Sequence, residues 1–238
     1  MANKWGMAVD IDRCTGCQAC VIACMSENNI PINLDEHFNN RRAISWIRVD
    51  RYWEGEYPHV KARFLPLLCQ HCGNAPCEPV CPVYATFHND QGLNVQVYNR
   101  CVGTRYCANN CPFHARFFNY RRPVWPETYN NYLNEDVTVR DRGVMEKCSF
   151  CVQRINRATR EAKRTGDEEF INTLQPACAQ ACPTDALVFG NLNNPNSQVS
   201  TLFHDDREYT LQESLGTEPN IRYLKKVDKE AAPEPVHA

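Results

Sequence analysis

The chain has 238 residues, of which 23% are charged and 43% hydrophobic, and its formal net charge is -2. This length suits one large domain or two small ones. The small net charge argues against a nucleic-acid or membrane-surface role, and the longest apolar runs fall far short of a bilayer span. The first ten residues lack the apolar core of a signal peptide. We therefore expect a soluble chain with no direct membrane span and no export signal of its own.

The most unusual feature of the composition is its 15 cysteines. A disulfide framework suits small secreted domains, and an odd number would leave one thiol unpaired. Structural zinc sites use Cys-x-x-Cys pairs. Iron–sulfur clusters use longer cysteine runs with a spacing of their own. The order and spacing of the cysteines therefore have to distinguish three kinds of site.

The first cysteine run follows a strand-like segment from Trp5 to Ile11. It reads Cys14-x-x-Cys17-x-x-Cys20-x-x-x-Cys24. In bacterial ferredoxins this spacing lets three close thiolates hold one cubane while the fourth reaches another cluster. We predict a helix that begins near Cys20 and carries Cys24 one turn on, while Gly16 lets the loop curl. A tetrahedral zinc site has no need of this evenly stepped triplet, so the run favours an iron–sulfur cluster.

The second run has two extra residues in its middle gap. It reads Cys69-x-x-Cys72-x-x-x-x-Cys77-x-x-x-Cys81-Pro82. Before it, the alternation from Ile44 to Tyr52 predicts a strand or hairpin within residues 25–68, which otherwise pack around the clusters. His71 lies inside the run. Since cysteines already serve all four corners of that cluster, we assign His71 to packing or to a hydrogen bond to sulfur.

The third run follows a strand-like segment from Leu93 to Tyr98. It reads Cys101-Val-Gly-Thr104-Arg-Tyr-Cys107-Ala-Asn-Asn-Cys111-Pro112. The ferredoxin spacing would put a cysteine at position 104, where threonine stands. Because a threonine hydroxyl is not ionised at neutral pH, it is a poor iron ligand. We therefore predict a [3Fe-4S] centre that lacks one iron corner.

The fourth run is the most extended. It reads Cys148-x-x-Cys151, then 26 residues, then Cys178-x-x-x-Cys182-Pro183. The intervening segment predicts a helix from Val152 to Arg164 and a turn at Gly166. This run shares its Cys-Pro ending with the second and third runs. A proline has no N–H to donate and turns the chain after the last cysteine. The four runs account for all 15 cysteines, so we do not expect disulfides.

The segments between and after the runs are less informative. Residues 112–147 are rich in arginine, aromatic residues and proline, and we read them as packing around the clusters or as a surface for a partner. The stretch from Asn191 to Asn196 predicts a loop. The stretch from Lys229 to Ala238 predicts a tail that is either disordered or packed against a partner. A basic residue precedes the first cysteine of three runs, namely Arg13, Arg100 and Lys147. Such cations either raise the potential of an anionic cluster or are solvated surface charges.

Two-cluster ferredoxins pair their runs and exchange the fourth ligand. Nested pairing joins the first run with the fourth and the second with the third, and it keeps the short connection from Cys81 to Cys101 inside one lobe. It predicts four ligand sets: set A (Cys14, Cys17, Cys20, Cys182), set B (Cys148, Cys151, Cys178, Cys24), set C (Cys69, Cys72, Cys77, Cys111) and set D (Cys101, Cys107, Cys81). Sets A to C would each hold a [4Fe-4S] cluster, and set D, with Thr104 at the missing position, a [3Fe-4S] cluster. Sequential pairing of the runs is the alternative.

The predicted fold class is α+β, with two bacterial-type two-cluster ferredoxin modules, one inserted in the other, long loops and short antiparallel strands. Residues 1–66 plus 140–190 would form a module with two [4Fe-4S] clusters. Residues 67–139 would form the inserted module, with one [4Fe-4S] and one [3Fe-4S] cluster. Residues 191–238 would form a C-terminal extension that wraps the modules or a partner.

The four runs together, from about Trp5 to Tyr223, resemble the four-cluster ferredoxin subunits of the dimethyl-sulfoxide reductase superfamily of membrane oxidoreductases. Most members with four full runs, such as polysulfide and dimethyl-sulfoxide reductase subunits, have cysteine at the position of Thr104. Nitrate reductase beta subunits carry tryptophan there. The segment from Asn99 to Pro112 looks most like alternative complex III and the related periplasmic quinone reductase complex.

The resemblance implies an electron-transfer subunit without a substrate site of its own. Its partners would be a molybdopterin-fold large subunit, an NrfD-like integral membrane quinone subunit and a multihaem c-type cytochrome. It would sit peripherally on a membrane complex at the periplasmic face, exported with a signal-bearing partner, or alternatively at the cytoplasmic face. The family also implies the cluster order A, B, C, D, with set D nearest the membrane.

Three other functions fit parts of the pattern. One is the iron–sulfur subunit of a molybdenum-dependent polysulfide or nitrate-type reductase, and another is a free polyferredoxin. A third is a hydratase-like Lewis acid at the open corner of set D. That chemistry needs acid–base residues beside the cluster, but the run offers only Arg105 and Tyr106, and three further clusters would have no purpose. Subunits that purify with the native protein would distinguish a polyferredoxin from a complex subunit.

Overall fold

The structure is a computed structural model, and it describes residues 3–227. The predicted tail from Lys229 to Ala238 lies outside the described residues. The strands are β1 Trp5–Asp10, β2 Ile47–Glu54, β3 Lys61–Leu68, β4 Thr86–His88, β5 Asn94–Gln96, β6 Phe117–Phe118, β7 Met145–Glu146, β8 Leu187–Asn191, β9 Glu208–Tyr209 and β10 Ile221–Leu224. The α-helices are α1 Ala19–Glu27, α2 Asp35–Asn39, α3 Tyr106–Asn109, α4 Val152–Thr165, α5 Ala177–Gln180 and α6 Gln198–Leu202. This mixed helix and strand content confirms the predicted α+β class.

A four-stranded sheet in the order β8-β1-β10-β9 lies at the centre. All six residues of β1 are buried, as expected of a strand covered on both faces, whose sequence is a continuous apolar run. β1 pairs antiparallel with β8 and parallel with β10. The predicted short antiparallel strands are present, and the parallel pair of β1 with β10 is an addition that the prediction did not include. A parallel partner needs a long crossover connection, and here nearly the whole chain separates the two strands.

Strand pairing brings the ends of different cysteine runs together. The pairing of β1 with β8 is extended by a bond from the Asp10 N–H to the Ala186 carbonyl at 2.8 Å. The chain that enters the first run therefore lies beside the chain that leaves the fourth. In the same way, the antiparallel pair β4 and β5 aligns Thr86 with Gln96. That pair sets the exit of the second run beside the entrance of the third.

The helices begin and end where the local sequence requires. Gln18 precedes α1 in the left-handed conformation, and both cysteines of α1, Cys20 and Cys24, are buried. The buried face of α4 consists of Ile155, Ala158 and Ala162, a helical spacing. α4 ends at Gly166 with φ +75°, a conformation that glycine adopts without steric cost. The helices predicted near Cys20 and from Val152 are both confirmed.

The region before the second run is an antiparallel hairpin. β2 and β3 pair from Ile47 opposite Leu68 to Glu54 opposite Lys61, which confirms the predicted hairpin. Phe64 of β3 packs over the first cysteine loop. A Cβ added to Gly16 would lie 2.4 Å from Cδ1 of Phe64, and Gly16 has φ +72°. The loop therefore has room only for glycine at this position.

The described part of the C-terminal extension, residues 191–227, is built into the fold. It supplies β9 and β10 to the central sheet. The segment just before β10 runs along the second cysteine loop, with bonds from the Gly73 N–H to the Glu218 carbonyl at 2.8 Å and from the Asn220 N–H to the Gln70 carbonyl at 3.0 Å. The extension thereby ties the second run to the central sheet. No described helix has the length and apolar composition of a membrane span.

A buried ion pair holds the strand that enters the fourth run. Arg140 and Glu146 are 2% and 1% exposed, and Arg140 Nε donates to Glu146 Oε2 at 2.8 Å. Trp46 Nε1 donates to the same oxygen at 3.0 Å, and Asn119 Nδ2 donates to Oε1 at 2.6 Å. Because Trp46 lies just before β2 while Asn119 and Arg140 lie between the third and fourth runs, Glu146 joins the β2 region to that connection.

We expect Glu146→Gln to destabilise the protein by about 3 to 5 kcal/mol, because it leaves the buried guanidinium of Arg140 without a counter-charge. Chemical denaturation, followed by the visible absorbance of the bound clusters, measures the change. The exposed ion pair between Glu161 and Arg164 is the control, and Glu161→Gln should alter the denaturation midpoint little. Equal effects of the two substitutions would contradict a structural role for Glu146.

Candidate iron–sulfur sites

The four cysteines of set A line one pocket, whose apolar walls include Val49, Pro66 and Leu187. The pKa of the Cys20 thiol is raised to about 12, first by burial and then by the thiolates of the other three members of the set. The strand pairing of β1 with β8 accounts for this convergence, since it brings Cys182 back to the first loop. Cys17 is exposed, so set A reaches the protein surface.

The cysteines of set B lie together in the interior. Burial raises the pKa of the Cys24 thiol well above its ordinary value, and the thiolates of the other three members of the set raise it further. Asn28, one turn further along α1, donates from Nδ2 to Cys24 Sγ at 3.5 Å and to Cys151 Sγ at 3.8 Å. Since Cys20 belongs to set A, α1 carries members of two sets on successive turns.

Set C is assembled from the second run and the end of the third. The pKa of the Cys72 thiol is raised to about 12 by burial and by the thiolate of Cys69, with smaller contributions from Cys77 and Cys111. The buried hydroxyl of Thr217 acts in the opposite direction and lowers the pKa of this thiol. Thr217 belongs to the C-terminal extension, so that segment also contributes to the surroundings of set C.

Set D brings three cysteines together. Burial raises the pKa of the Cys107 thiol, Arg116 lowers it, and the thiolates of Cys101 and Cys81 raise it again. Thr104 is exposed on the same loop. Arg105, which follows it, has φ +63°, close to the +66° of Gln18, which follows Cys17 in the first run.

The four cysteine loops share a backbone conformation. The residue two positions after the first cysteine of each run has a left-handed conformation in every case: Gly16 (φ +72°), His71 (+45°), Gly103 (+73°) and Phe150 (+53°). The loop around Thr104 is therefore bent like the loop around Cys17. The third run differs from the first in the missing thiol and not in the course of its main chain.

A second shared turn follows each Cys-Pro ending. Tyr84, His114 and Asp185 each lie three residues after the last cysteine, and each has φ near +50°. The turn directs main-chain N–H groups at sulfur: Ala85 donates to Cys81 Sγ at 3.2 Å and Ala186 to Cys182 Sγ at 3.3 Å. Burial raises the pKa of both thiols, but such N–H groups outweigh it and leave both pKa values below the ordinary value. Hydrogen bonds to the charged form stabilise thiolates, as cluster ligands require.

Thiols of different sets also interact, and they do so in a consistent order. Cys178 of set B interacts electrostatically with Cys20 of set A, and Cys148 of set B with Cys69 of set C. Arg116 interacts with thiolates of both set C and set D. These interactions agree with the order A, B, C, D that the resemblance implies, and the order itself stays a prediction.

The donor sets fit iron–sulfur clusters better than zinc. Four thiolates around one zinc ion would lie within about 3.8 Å of each other. Over residues 3–227, no three His, Cys, Asp or Glu side chains are placed to hold a single metal ion. All 15 cysteines are free thiols. Cysteines that interact without converging on one point suit a polynuclear cluster. Their assignment as ligands, set by set, remains a prediction.

Comparison with known proteins agrees with this chemistry. Two family profiles described as 4Fe-4S dicluster domains match residues 13–85 and 60–127. The iron–sulfur cluster-binding subunit of menaquinone reductase from Nitratidesulfovibrio vulgaris is 42% identical over 94% of this chain and 89% of its own length. Iron–sulfur subunit 1 of the Hdr-like menaquinol oxidoreductase of Archaeoglobus fulgidus is 37% identical over 94% and 84%, and the iron–sulfur subunit of the arsenate respiratory reductase of a Shewanella species is 30% identical over 93% and 96%.

The chain belongs to the ferredoxin-type iron–sulfur subunits of the dimethyl-sulfoxide reductase superfamily. The resemblance stated from the cysteine runs is thereby confirmed, and so is its role as an electron-transfer subunit that binds iron–sulfur clusters. The two profiles match runs that are consecutive in sequence. The structure instead brings the first run beside the fourth, because strand pairing and not sequence order decides which loops meet.

In this iron–sulfur subunit, the three basic residues that precede cysteine runs have different surroundings. The side chain of Arg13 is 55% exposed and lies 3.8 Å from Asp10, and Arg100 is exposed. Both are surface charges. Lys147 is 1% exposed, and its Nζ donates to the Cys148 carbonyl at 2.8 Å. Of these three basic residues, Lys147 alone is buried among the cysteines.

Sequence reasoning missed the role of Arg116. Its side chain is buried and donates to Gln96 Oε1 at 2.9 Å, to Thr86 Oγ1 at 2.6 Å and to Asn94 Oδ1 at 2.7 Å. Burial alone would lower its pKa, but surrounding thiolates of sets C and D raise it. Asn28 was also missed, although its position four residues after Cys24 on a predicted helix was a usable signal. No comparable signal singled out Arg116 among the arginines of residues 112–147.

His71 lies at the boundary between set B and set C. It is fully buried and stacks on Phe150, with ring centroids 4.1 Å apart and planes 22° apart. Neither ring nitrogen of His71 has a hydrogen-bond partner among the described residues. Burial is the main cause that holds the pKa of His71 well below its ordinary value. The predicted packing role is confirmed, and the stacked pair joins the loop of the second run to that of the fourth.

Proposed function

We propose that this subunit relays single electrons through three [4Fe-4S] clusters in sets A to C and one [3Fe-4S] cluster in set D. The observation that carries this proposal is that cysteines of distant runs lie together, as Cys182 does with the first run and Cys24 with the fourth. When bound, such clusters accept and release one electron at a time. The chain holds them close together and surrounds them with N–H donors and buried cations.

The exposure of the four sets supports a path with two ends. Every cysteine of set B is buried, and so are three of the four in set C. Set A, by contrast, has the exposed Cys17, and set D has the exposed Thr104 on its loop. Electrons can enter or leave a protein only where a redox centre approaches the surface, so sets A and D are the expected contacts with donor and acceptor.

We infer that set D faces a membrane quinone-site subunit of the NrfD-like type. Exposed apolar and aromatic side chains lie close in sequence to the cysteines of this set. They are Tyr84, Val102 and Tyr106, which are 63%, 63% and 56% exposed. Exposed apolar patches of this kind mark protein interfaces. The names of two relatives, a menaquinone reductase and a menaquinol oxidoreductase, support a quinone as the reaction partner of the complex.

At the other end, the partner would be a molybdopterin-fold large subunit, with a multihaem c-type cytochrome as a further subunit of the respiratory complex. The chain itself would have no substrate site. It would lie peripherally on the membrane, at the periplasmic face or alternatively at the cytoplasmic face. The proposed modules are residues 1–66 plus 140–190 and the inserted residues 67–139, with 191–238 as the extension. The strand pairs β1–β8 and β4–β5 support this nesting.

A second candidate is the iron–sulfur subunit of a molybdenum-dependent reductase. Relatives named as tetrathionate, arsenate and selenate reductase subunits match 93% of the chain at 32%, 30% and 31% identity. The electron path within the chain would be the same. Molybdenum in the large subunit and the absence of a haem c subunit would favour this candidate.

Purification of the native complex tests the proposal. We expect about 15 irons per chain and a [3Fe-4S] electron paramagnetic resonance (EPR) signal in the oxidised protein, because set D has three thiols. We also expect an integral membrane subunit to purify with the chain. An oxidised protein without that signal would contradict the assignment of set D. A chain that purifies alone would favour a free polyferredoxin.

A further inference from the structure

We propose that Lys147 and Arg116 are positioning residues that set the reduction potentials of the clusters on either side of the two inner gaps of the path. Lys147 acts between sets B and C, and Arg116 acts between sets C and D. The inference rests on the proposed cluster assignment, because it concerns the charges next to those sites.

The location of Lys147 comes from its neighbours. It lines one cavity with Cys148 of set B and with Asn94, and Asn94 Oδ1 lies 3.9 Å from Cys77 Sγ of set C. In agreement with this position, its ammonium lowers the pKa of both Cys148 and Cys77. An ammonium group has three donors, and the single bond identified for it goes to the Cys148 carbonyl.

Arg116 occupies the next gap in the same manner. Its charge acts on Cys77, Cys69 and Cys111 of set C and on Cys107 of set D. The three hydrogen bonds of its guanidinium go to neutral side chains, those of Gln96, Thr86 and Asn94. These neutral partners fix the position of the guanidinium, and the thiolates of sets C and D are the anions that face its charge.

Neither cation has a carboxylate partner among residues 3–227, since the ion pairs there involve other side chains. A buried charge without a counter-charge is strongly unfavourable. The nearby anions are the cysteine thiolates. Four thiolates around a [4Fe-4S] core leave a net charge of about -2, which neutralises the cations. The clusters and the two cations therefore stabilise one another.

The effect on potential follows from Coulomb's law. Reduction adds a negative charge to a cluster, and a buried cation stabilises the reduced state more than the oxidised state. Because the interior screens charges poorly, one cation influences the clusters on both of its sides. Loss of the cation should lower both potentials. Lys147 would thus raise the potentials of one cluster in each of the two modules. Arg116 would favour reduction of the cluster nearest the quinone subunit.

The test is a redox titration of the intact complex, followed by EPR, with Lys147→Met and Arg116→Gln. We expect Lys147→Met to shift the reduction equilibria of two [4Fe-4S] clusters at least tenfold toward the oxidised form, or about 59 mV for one electron. Arg116→Gln should shift the [3Fe-4S] equilibrium and one [4Fe-4S] equilibrium in the same direction. The [3Fe-4S] signal is distinctive and identifies set D directly.

Arg100→Met is the matched control, because Arg100 also directly precedes the first cysteine of a run but is exposed. Arg100→Met should shift the reduction equilibrium of each cluster by less than threefold. Arg116→Lys keeps the charge and should restore most of the potential lost in Arg116→Gln. If Lys147→Met fails to assemble, the two Arg116 variants decide the question by themselves.

Two outcomes separate the inference from the proposed function. Variants that keep the wild-type iron content and EPR signals but show unchanged potentials would overturn the inference alone. A wild-type protein without a [3Fe-4S] signal would overturn the proposed cluster assignment instead. Equal shifts in Arg100→Met and Lys147→Met would also overturn the inference, because burial would then have no influence.

Discussion

Thr104→Cys is expected to abolish the [3Fe-4S] signal and raise the iron content from about 15 to about 16 per chain. The loop needs no rebuilding, since Gly103 and Arg105 have nearly the same φ values as Gly16 and Gln18, the residues that flank Cys17 in the first run. A thiol at position 104 would therefore stand where Cys17 stands in set A. Since thiolate is the usual ligand of iron, the fourth corner should fill.

EPR of the oxidised protein and iron analysis measure this conversion. The potential of the set D cluster should also fall, because a fourth thiolate adds negative charge next to the iron. Quinone-dependent activity of the complex should decrease accordingly. The control is Val102→Cys, which adds a thiol to the same loop at a residue that is 63% exposed but is not at the ligand position. A [3Fe-4S] signal that survives in Thr104→Cys, or disappears in Val102→Cys, would contradict the assignment.

Replacement of Cys24 is expected to disrupt the cluster of set B and no other. Cys24 belongs to the first run, but its thiol interacts with Cys148, Cys151 and Cys178. Under sequential pairing it would instead serve the cluster of the second run. Single substitutions cannot separate the two arrangements, since either way one [4Fe-4S] cluster of three is lost or altered.

Double substitutions do separate them, because members of one site are not additive whereas independent sites are. With nested pairing, Cys24→Ala combined with Cys178→Ala should leave two [4Fe-4S] clusters, the same as either single variant. Cys24→Ala combined with Cys72→Ala should leave one. Mössbauer spectroscopy of iron-57-labelled protein counts the clusters. Sequential pairing predicts the reverse result for the two double variants. Ser26→Ala, on the same helix, should leave all clusters in place.

The spacing of the cysteines was enough to predict the kind of cofactor, the family and the sites of local bending. Cys-x-x-Cys triplets and Cys-Pro endings act through short-range geometry, and the left-handed turns at Gly16 and Gly103 lie inside the runs themselves. The helices from Cys20 and Val152 were predictable for the same reason, because a helical pattern depends on neighbours a few residues away. Thr104 was also visible directly, as a gap in an otherwise regular pattern.

The strand pairing that brings distant runs together was not predictable in this way. The parallel pairing of β1 with β10 joins the two ends of the described chain, and no local sequence pattern in residues 3–227 predicts it. The sequence also made Arg13, Arg100 and Lys147 look alike, since each stands next to a first cysteine. Burial separates them, and burial depends on which segments fold over a residue.

Cysteine spacing alone was thus enough to predict an iron–sulfur protein with four cysteine runs, one of them a thiol short. The tertiary structure sets the first run beside the fourth and the second beside the third, as nested pairing predicts, and it alone separates the buried Lys147 from the exposed Arg13 and Arg100. The difference comes from the distance along the chain over which each interaction acts. Ligand spacing and turn conformation are set by bonds within a few residues, whereas the proximity of Cys182 to Cys14, or of Arg116 to two sets, exists only after distant strands have paired.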